Sequence, residues 1–330
     1  MNIKLVDIVT AMPETIITND YFGEAEIREK NRMFSGTKER RHLTRDETAS
    51  ELMAKGISIL TKRNPHFIES DGEIDMILTN VSLPDECFTG CGAVVNKKAN
   101  LKAKYIFDIH NTGCVSFIYL LELAHTYMAS GKIKNALICT AQTSAGRVFG
   151  QSDTRDLAQS AIPGDGCAVA LVSSEEGHSF LGFQLDNFPK FSEDMYGNYG
   201  GAKWWEPRSK TGKIDFSEEK TAKIVARGNK LVPESVYKVC DDLKMKVTDL
   251  NFFITNQPNK NFLRNWREAI QMSEENHLDT FEKYANLFGA GIPVTLSEAI
   301  EESRFKKGDL ICLAGFSHAG DYSASTILEW

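Results

Sequence analysis

The sequence predicts an α/β protein built from two similar halves, and three observations lead there. Short β-rich apolar runs alternate along the chain with helical patterns, the arrangement expected of sheets covered by helices. Two echoes recur half a chain apart: Ile77-Leu78-Thr79-Asn80 is matched by Phe253-Ile254-Thr255-Asn256, and Leu137-Ile138-Cys139 by Leu310-Ile311-Cys312, at offsets of about 175 residues. With 42% hydrophobic and 25% charged residues over 330 positions, the chain is a folded one, long enough for about two domains. The division falls at residues 1–172 and 173–330.

Each element rests on its own pattern. Residues 3–9 set Lys4 and Asp7 into an alternating apolar run and read as a first strand. Runs 76–79, 136–140, 168–172, 252–255, 310–314 and 325–328 are short and rich in β-formers, as buried strands are. Helical patterns occupy 47–62, 117–130, 218–243, 261–273 and 294–303. The stretch 180–215 has several glycines, Trp204-Trp205, Pro207 and no clean period. It reads as an irregular excursion of the kind that forms a lid or binding insertion.

Forty-five acidic against 38 basic residues leave a net charge of −7, so there is no global basic field for nucleic acid or an anionic membrane. The apolar run from Cys114 to Leu123 falls far short of the roughly 20 residues a spanning helix needs, and residues 1–13 lack a signal-peptide core. Seven scattered cysteines are an odd set rather than a disulfide framework. Reduced thiols and a cytoplasmic location follow. Cys87 and Cys91 have no second pair at zinc spacing, so no metal site is expected.

One cysteine stands out. Asn111-Thr112-Gly113-Cys114 joins the apolar run 105–109 to the helix that follows. A thiol there feels the positive end of the helix dipole and unpaired backbone N–H groups, which favour thiolate and cradle an oxyanion. Gly113 allows the sharp turn such a junction requires. The alternative is a small buried hydrophobe, the usual fate of cysteine.

From Cys114-Val115-Ser116-Phe117-Ile118-Tyr119 onward the chain resembles the nucleophile helix of the ketoacyl-acyl-carrier-protein synthase III family. Other segments agree in order: Gly36-Thr37-Lys38-Glu39-Arg40, Gly164-Asp165-Gly166-Cys167, Gly228-Asn229, Tyr284-Ala285-Asn286 and Lys307-Gly308-Asp309-Leu310 followed by Gly315-Phe316. The resemblance spans essentially the whole chain. It implies a thiolase-like fold, two duplicated βαβαβαββ halves in five layers, a homodimer, and Cys114 as the acyl-accepting nucleophile. It also implies acyl carrier protein or acyl-CoA as thioester donor, and no cofactor, because the thioester is already activated.

The family uses a Cys-His-Asn set. Asn286 matches the asparagine, but the family's His-Gln-Ala-Asn reads Asn256-Gln257-Pro258-Asn259 here. Asn256 donates a hydrogen bond but exchanges no proton at neutral pH. Thioester loading on Cys114 survives that change better than malonyl decarboxylation does. Transfer to a different small-molecule acceptor becomes the leading reading, a carbon–carbon-forming synthase the second, and a catalytically silent partner subunit the third.

His318, in a turn where the family carries glycines, is the candidate to replace the missing imidazole. His110 is a candidate for the wall or for a supporting position behind it, His125 reads as a surface or packing residue, and His42, His66, His178 and His277 read as solvated. By the resemblance, Phe88 reaches across a dimer to bound the acyl pocket. Lys30 and Phe34 stand where the family grips a coenzyme A adenine, so a carrier-delivered donor is favoured. Lys260, Arg264 and Arg267 offer a local docking patch for an acidic carrier, and Trp204 and Trp205 are placed at the mouth of the site.

Overall fold

In the computed structural model the described residues are 3–23, 36–68, 71–110, 112–207, 212–214 and 218–330. The strands in chain order are β1 (Lys4–Ala11), β2 (Thr15–Thr18), β3 (Glu39–His42), β4 (Glu73–Val81), β5 (Lys102–Asp108), β6 (Asn135–Gln142) and β7 (Gly166–Ser173), then β8 (His178–Asn187), β9 (Gly197–Asn198), β10 (Lys213–Ile214), β11 (Phe252–Thr255), β12 (His277–Leu278), β13 (Leu310–Ser317) and β14 (Tyr322–Glu329). The α-helices are α1 (Ala49–Arg63), α2 (Gly92–Lys98), α3 (Ser116–Ala129), α4 (Glu218–Asp242), α5 (Lys260–Ala269), α6 (Phe281–Tyr284) and α7 (Gly291–Glu301).

Ten strands pair in the order β12-β11-β13-β14-β8-β1-β7-β6-β4-β5. This order is a palindrome about the β8–β1 junction, and the pairing sense obeys it. β11 is parallel to β12 and β13 as β4 is to β5 and β6. The pairs β13–β14 and β14–β8 are antiparallel, as are β6–β7 and β7–β1. Only Lys4↔Ser179 and Leu5↔His178 pair across the junction. The two echoes therefore mark the right strands, but not in one register. Ile77 lies beside Leu137, whereas Phe253 lies beside Cys312 rather than Leu310.

Alternation of side chains across the strands sets the layers. Met76, Leu78, Ala136, Ile138 and Ala170 face one core with α3, α7 and strands of the second half. Their neighbours Ile77, Leu137, Cys139, Val169 and Leu171 face another with α1 and the region of α2. The second half buries Phe253, Cys312, Ala314 and Ile327 against α4 and α5. Helices, strands, helices, strands and helices thus succeed one another in five layers. α1 begins at a capping box in which Thr48 and Glu51 satisfy each other's backbone N–H, and Asp85 takes the next two, of Ala49 and Ser50.

The structure corrects two expectations. Residues 178–187, assigned in large part to an irregular excursion, form the full strand β8, held by β14 over Asn187 to Ser179. Gly182 and the mixed polarity of that segment hid the alternation. His42 and His277 are buried at 4% and 5% exposure rather than solvated, and His178 stacks on Trp330 at 3.7 Å.

Burial of those two histidines makes stability depend on pH. Desolvation, helped by the Arg40 charge, lowers His42 to about 4, and desolvation lowers His277 to about 4. Between about 6.5 and 4 the unfolded chain therefore binds protons that the fold refuses, and stability falls as pH drops. Asp165 acts oppositely. Burial raises it to about 6 despite the N–H groups of Gly146, Leu43 and Ala145, so the fold gains stability as that group takes its proton. Two histidines against one carboxyl leave a net loss of about 3–4 kcal/mol from pH 6.5 to 4. Urea unfolding at the two pH values measures it, and a midpoint that holds or rises on acidification would contradict the burial argument.

Candidate active site

The site forms where the carboxyl ends of β4, β6, β11 and β13 meet the start of α3. After β5 the backbone crosses β4, with Ile109 N–H on the Thr79 carbonyl at 2.8 Å and the Asn80 amide donating to the Ile109 carbonyl at 2.7 Å. Thr112 and Gly113 then take positive φ of 71° and 40°. This left-handed pair turns the chain into a single 3-10 turn, Gly113–Val115, that runs into α3. Cys114 sits in that turn, half-buried, at the wall of a cavity of about 400 Å³.

The second half supplies the other groups. Asn256 follows β11, and its amide clasps the backbone of Phe316, donating from Nδ2 to the carbonyl at 3.1 Å and accepting the N–H on Oδ1 at 3.2 Å. The clasp fixes the amide near Cys114, whose thiol pKa it lowers. Asn286 accepts the Phe288 N–H on Oδ1 at 3.0 Å, and its backbone bridges Pro163. Its Nδ2 is left as the donor on the cavity wall. Cys114, Asn256, Asn286 and His318 all line one cavity, so the four residues singled out for catalysis converge although their positions span more than 200 residues.

His318 occupies the turn between β13 and β14 with φ of 48°. Its Nδ1 lies 3.1 Å from both carboxylate oxygens of Asp321, a residue 6% exposed. On the other side of the ring, Nε2 is 2.8 Å from where a side chain on Gly113 would begin. The neighbouring Ser317 hydroxyl accepts the Cys114 N–H at 3.2 Å.

Two electrostatic expectations change. Burial pushes the Cys114 thiol up to about 12, the Asn256 hydrogen bond pulling down and the Asp321 charge adding to the rise. Burial favours the neutral thiol at Cys114, because desolvation outweighs one turn of helix dipole. The Cys114 N–H, expected to be an open oxyanion donor, is held by Ser317.

The cavity wall is neutral, with no Asp, Glu, Lys or Arg among the described residues that line it. His110 contributes to it, as do Phe149, Met195 and Ile224, which sequence reasoning did not single out. Their signal is tertiary: each lies far along the chain from Cys114. Gln142, also on the wall, binds Ser144 through Nε2 at 2.6 Å and leaves Oε1 without a protein partner.

The residues proposed for substrate contact do not join this cavity within the chain. Trp204 and Trp205 are 59% and 65% exposed and pack edge-on against each other, because the segment carrying them runs over the surface. Phe88 is 92% exposed, a position from which it reaches no pocket of its own chain. Lys260 is paired with Asp279 at 2.8 Å, Arg264 with Glu268 at 4.0 Å and Arg267 with Glu274 at 2.8 Å, so the basic patch is neighboured by acid throughout. Lys30 and Phe34 lie outside the described residues. Among the described residues, no helix is long and apolar enough to cross a membrane.

Comparison with known proteins agrees with the fold. The family models for 3-oxoacyl-[acyl-carrier-protein] synthase III match residues 107–188, and those for its C-terminal region match residues 240–330. Among curated relatives, the beta-ketoacyl-[acyl-carrier-protein] synthase III of Fusobacterium nucleatum is 28% identical, covering 97% of this chain and 96% of its own. That of Clostridium perfringens is 26% identical over 99% of both. The solved 3-oxoacyl-[acyl-carrier-protein] synthase III of Aquifex aeolicus superposes with a TM-score of 0.83 at 23% identity, over 99% of this chain and 100% of that one. OleA of Xanthomonas campestris has the same fold, with a TM-score of 0.84 at 17% identity over 100% and 97%. Two family models that together cover more than half of the chain, full-length relatives and a shared mirrored α/β frame agree, and the chain belongs to the 3-oxoacyl-[acyl-carrier-protein] synthase III family of condensing, acyl-transferring enzymes.

Proposed function

We propose that this chain loads an acyl group from a thioester onto Cys114 and transfers it to a small-molecule acceptor other than malonyl thioester, in a specialised polyketide or fatty-acid-derived pathway. The observation that carries the reading is Asn256. It stands where the family motif has histidine, and both ends of its amide are committed to Phe316. An amide so held steadies the thiol and orients Phe316, but it neither takes nor gives a proton. Loading needs less: Cys114 sulfur attacks the thioester carbonyl, the donor carbon–sulfur bond breaks, and the donor thiol leaves with the proton that Cys114 gave up.

The donor is an acyl carrier protein or acyl-CoA, in keeping with the names of the relatives, and no cofactor is called for. A homodimer would bring the exposed Phe88 to a partner's pocket, and seven free cysteines suit a cytoplasmic enzyme. The second reading, carbon–carbon condensation, is favoured by Asn286, whose Nδ2 is placed to stabilise an enolate. A silent partner subunit would have no use for a thiol on a cavity wall.

Intact-protein mass spectrometry against a panel of acyl-carrier and acyl-CoA thioesters tests the proposal, together with carbon dioxide release from malonyl carrier. A stable acyl adduct with negligible carbon dioxide is the expected result. Release at the rate of acyl turnover would establish the condensing reading instead, and no adduct with any donor would favour the silent partner.

A further inference from the structure

We infer that His318, held by Asp321, is the general base for Cys114, so that a Cys114–His318–Asp321 relay does the proton transfers for which Asn256 is unfit. The inference rests on the acyl-loading reading and gives that site its base.

Three contacts carry it. The carboxylate of Asp321 sits on Nδ1 with both oxygens at 3.1 Å, which holds the imidazole proton on Nδ1 and leaves Nε2 as the acceptor. Asp321 is itself pinned: its carbonyl accepts the Phe188 N–H at 2.7 Å and the Asn187 amide at 3.2 Å. The free side of the ring lies against Gly113, the residue that precedes the nucleophile, and His318 and Cys114 share the cavity wall. His318 takes a left-handed backbone, φ 48°, which histidine adopts more readily than most side chains, and the turn so formed presents the imidazole to Gly113.

The proton account closes. Nε2 accepts the Cys114 thiol proton as sulfur attacks the donor carbonyl, and returns it to the departing donor thiolate. In the second half the same nitrogen takes the proton from the acceptor's O–H or N–H as that atom attacks the acyl carbon, and delivers it to Cys114 sulfur as the acyl–sulfur bond breaks. Nothing is oxidised or reduced. Asp321 keeps its charge throughout and acts as a positioning residue. Among the described residues His110 and His318 are the bases on the wall, and a desolvated thiol reacts only if such a group relieves it of its proton.

Alkylation by iodoacetamide, read at each cysteine by peptide mapping, tests the base without requiring the natural donor. His318→Gly suits the left-handed backbone, and His318→Asn is a second variant that tolerates it. Either should slow modification of Cys114 by about tenfold to a thousandfold, and added imidazole should restore the His318→Gly rate. The exposed Cys87 reacts unchanged and serves as the internal reference. Asp321→Asn should slow Cys114 by about tenfold or more, yet slow it no further on top of His318→Gly, where the only remaining effect of Asp321 is its charge on the thiol, whose removal favours thiolate. An unslowed His318→Gly, no rescue by imidazole, or a multiplicative double variant would overturn the relay. Acylation of wild type is scored separately: His318-dependent alkylation without any acyl adduct sinks the loading reading and leaves the base standing.

Discussion

Replacing Cys114 with alanine is expected to abolish covalent acyl loading, a fall of more than about a thousandfold and below detection by intact mass. Of the seven cysteines, five are buried and Cys87 is exposed. Cys114 is the one that lines the cavity. Removing its sulfur deletes the attacking atom while leaving the hydrogen bond from its N–H to Ser317 and the clasp of Asn256 on Phe316, neither of which needs the side chain. The variant should therefore fold with an unfolding midpoint close to wild type. Acyl transfer that continued at an equal rate in Cys114→Ala would sink the assignment of the nucleophile. Cys87→Ser, by contrast, should load normally, which separates a surface adduct from the enzymatic one.

The second large effect is expected from Gly113→Ala. A methyl group there would fall within the van der Waals sphere of the Ser317 hydroxyl and 2.8 Å from His318 Nε2, and it would sit on a backbone with φ of 40°, where an L side chain is strained. Ser317 is fully buried and has no room to retreat, whereas His318, with 41% of its side chain exposed, can yield only by loosening its hold on Asp321. The turn between β13 and β14 must move away from the nucleophile loop, at a cost of about 2–4 kcal/mol in stability, and the ring is carried off the Cys114 approach with it. Urea unfolding gives the first effect and Cys114 alkylation the second, with a loss of about tenfold or more. A variant that keeps both wild-type stability and reactivity would show that the ring does not press on Gly113.

Much of the frame was legible in the sequence because it is written in short-range periodicity. Strand 252–255 was placed to the residue, and helices 47–62, 117–130 and 218–243 ended within two residues of the observed bounds. The mirrored halves were legible from two short echoes, one of four residues and one of three. Their register was not, since it is decided by which carbonyl each strand meets across the sheet. β8 escaped because its pairing with β14 and β1 is made by backbone, which leaves little trace in side-chain polarity. Trp204 and Trp205 misled for the opposite reason: large aromatics in an irregular segment suggest a pocket, but here they cover each other on the surface.

Sequence alone determined the α/β class, the duplication, the cysteine at the strand-to-helix junction and the asparagine at position 256 where the family motif has histidine, all of which depend on residue identity and near-neighbour spacing. Only the tertiary structure decided that His42 and His277 are buried and that burial favours the neutral thiol at Cys114. The partner of His318 and the closure of the Cys114 N–H by a serine were likewise out of reach. Desolvation and hydrogen bonding between distant segments set these properties, and the contact that joins Cys114 to Ser317 spans 203 residues, far beyond any period a linear pattern carries.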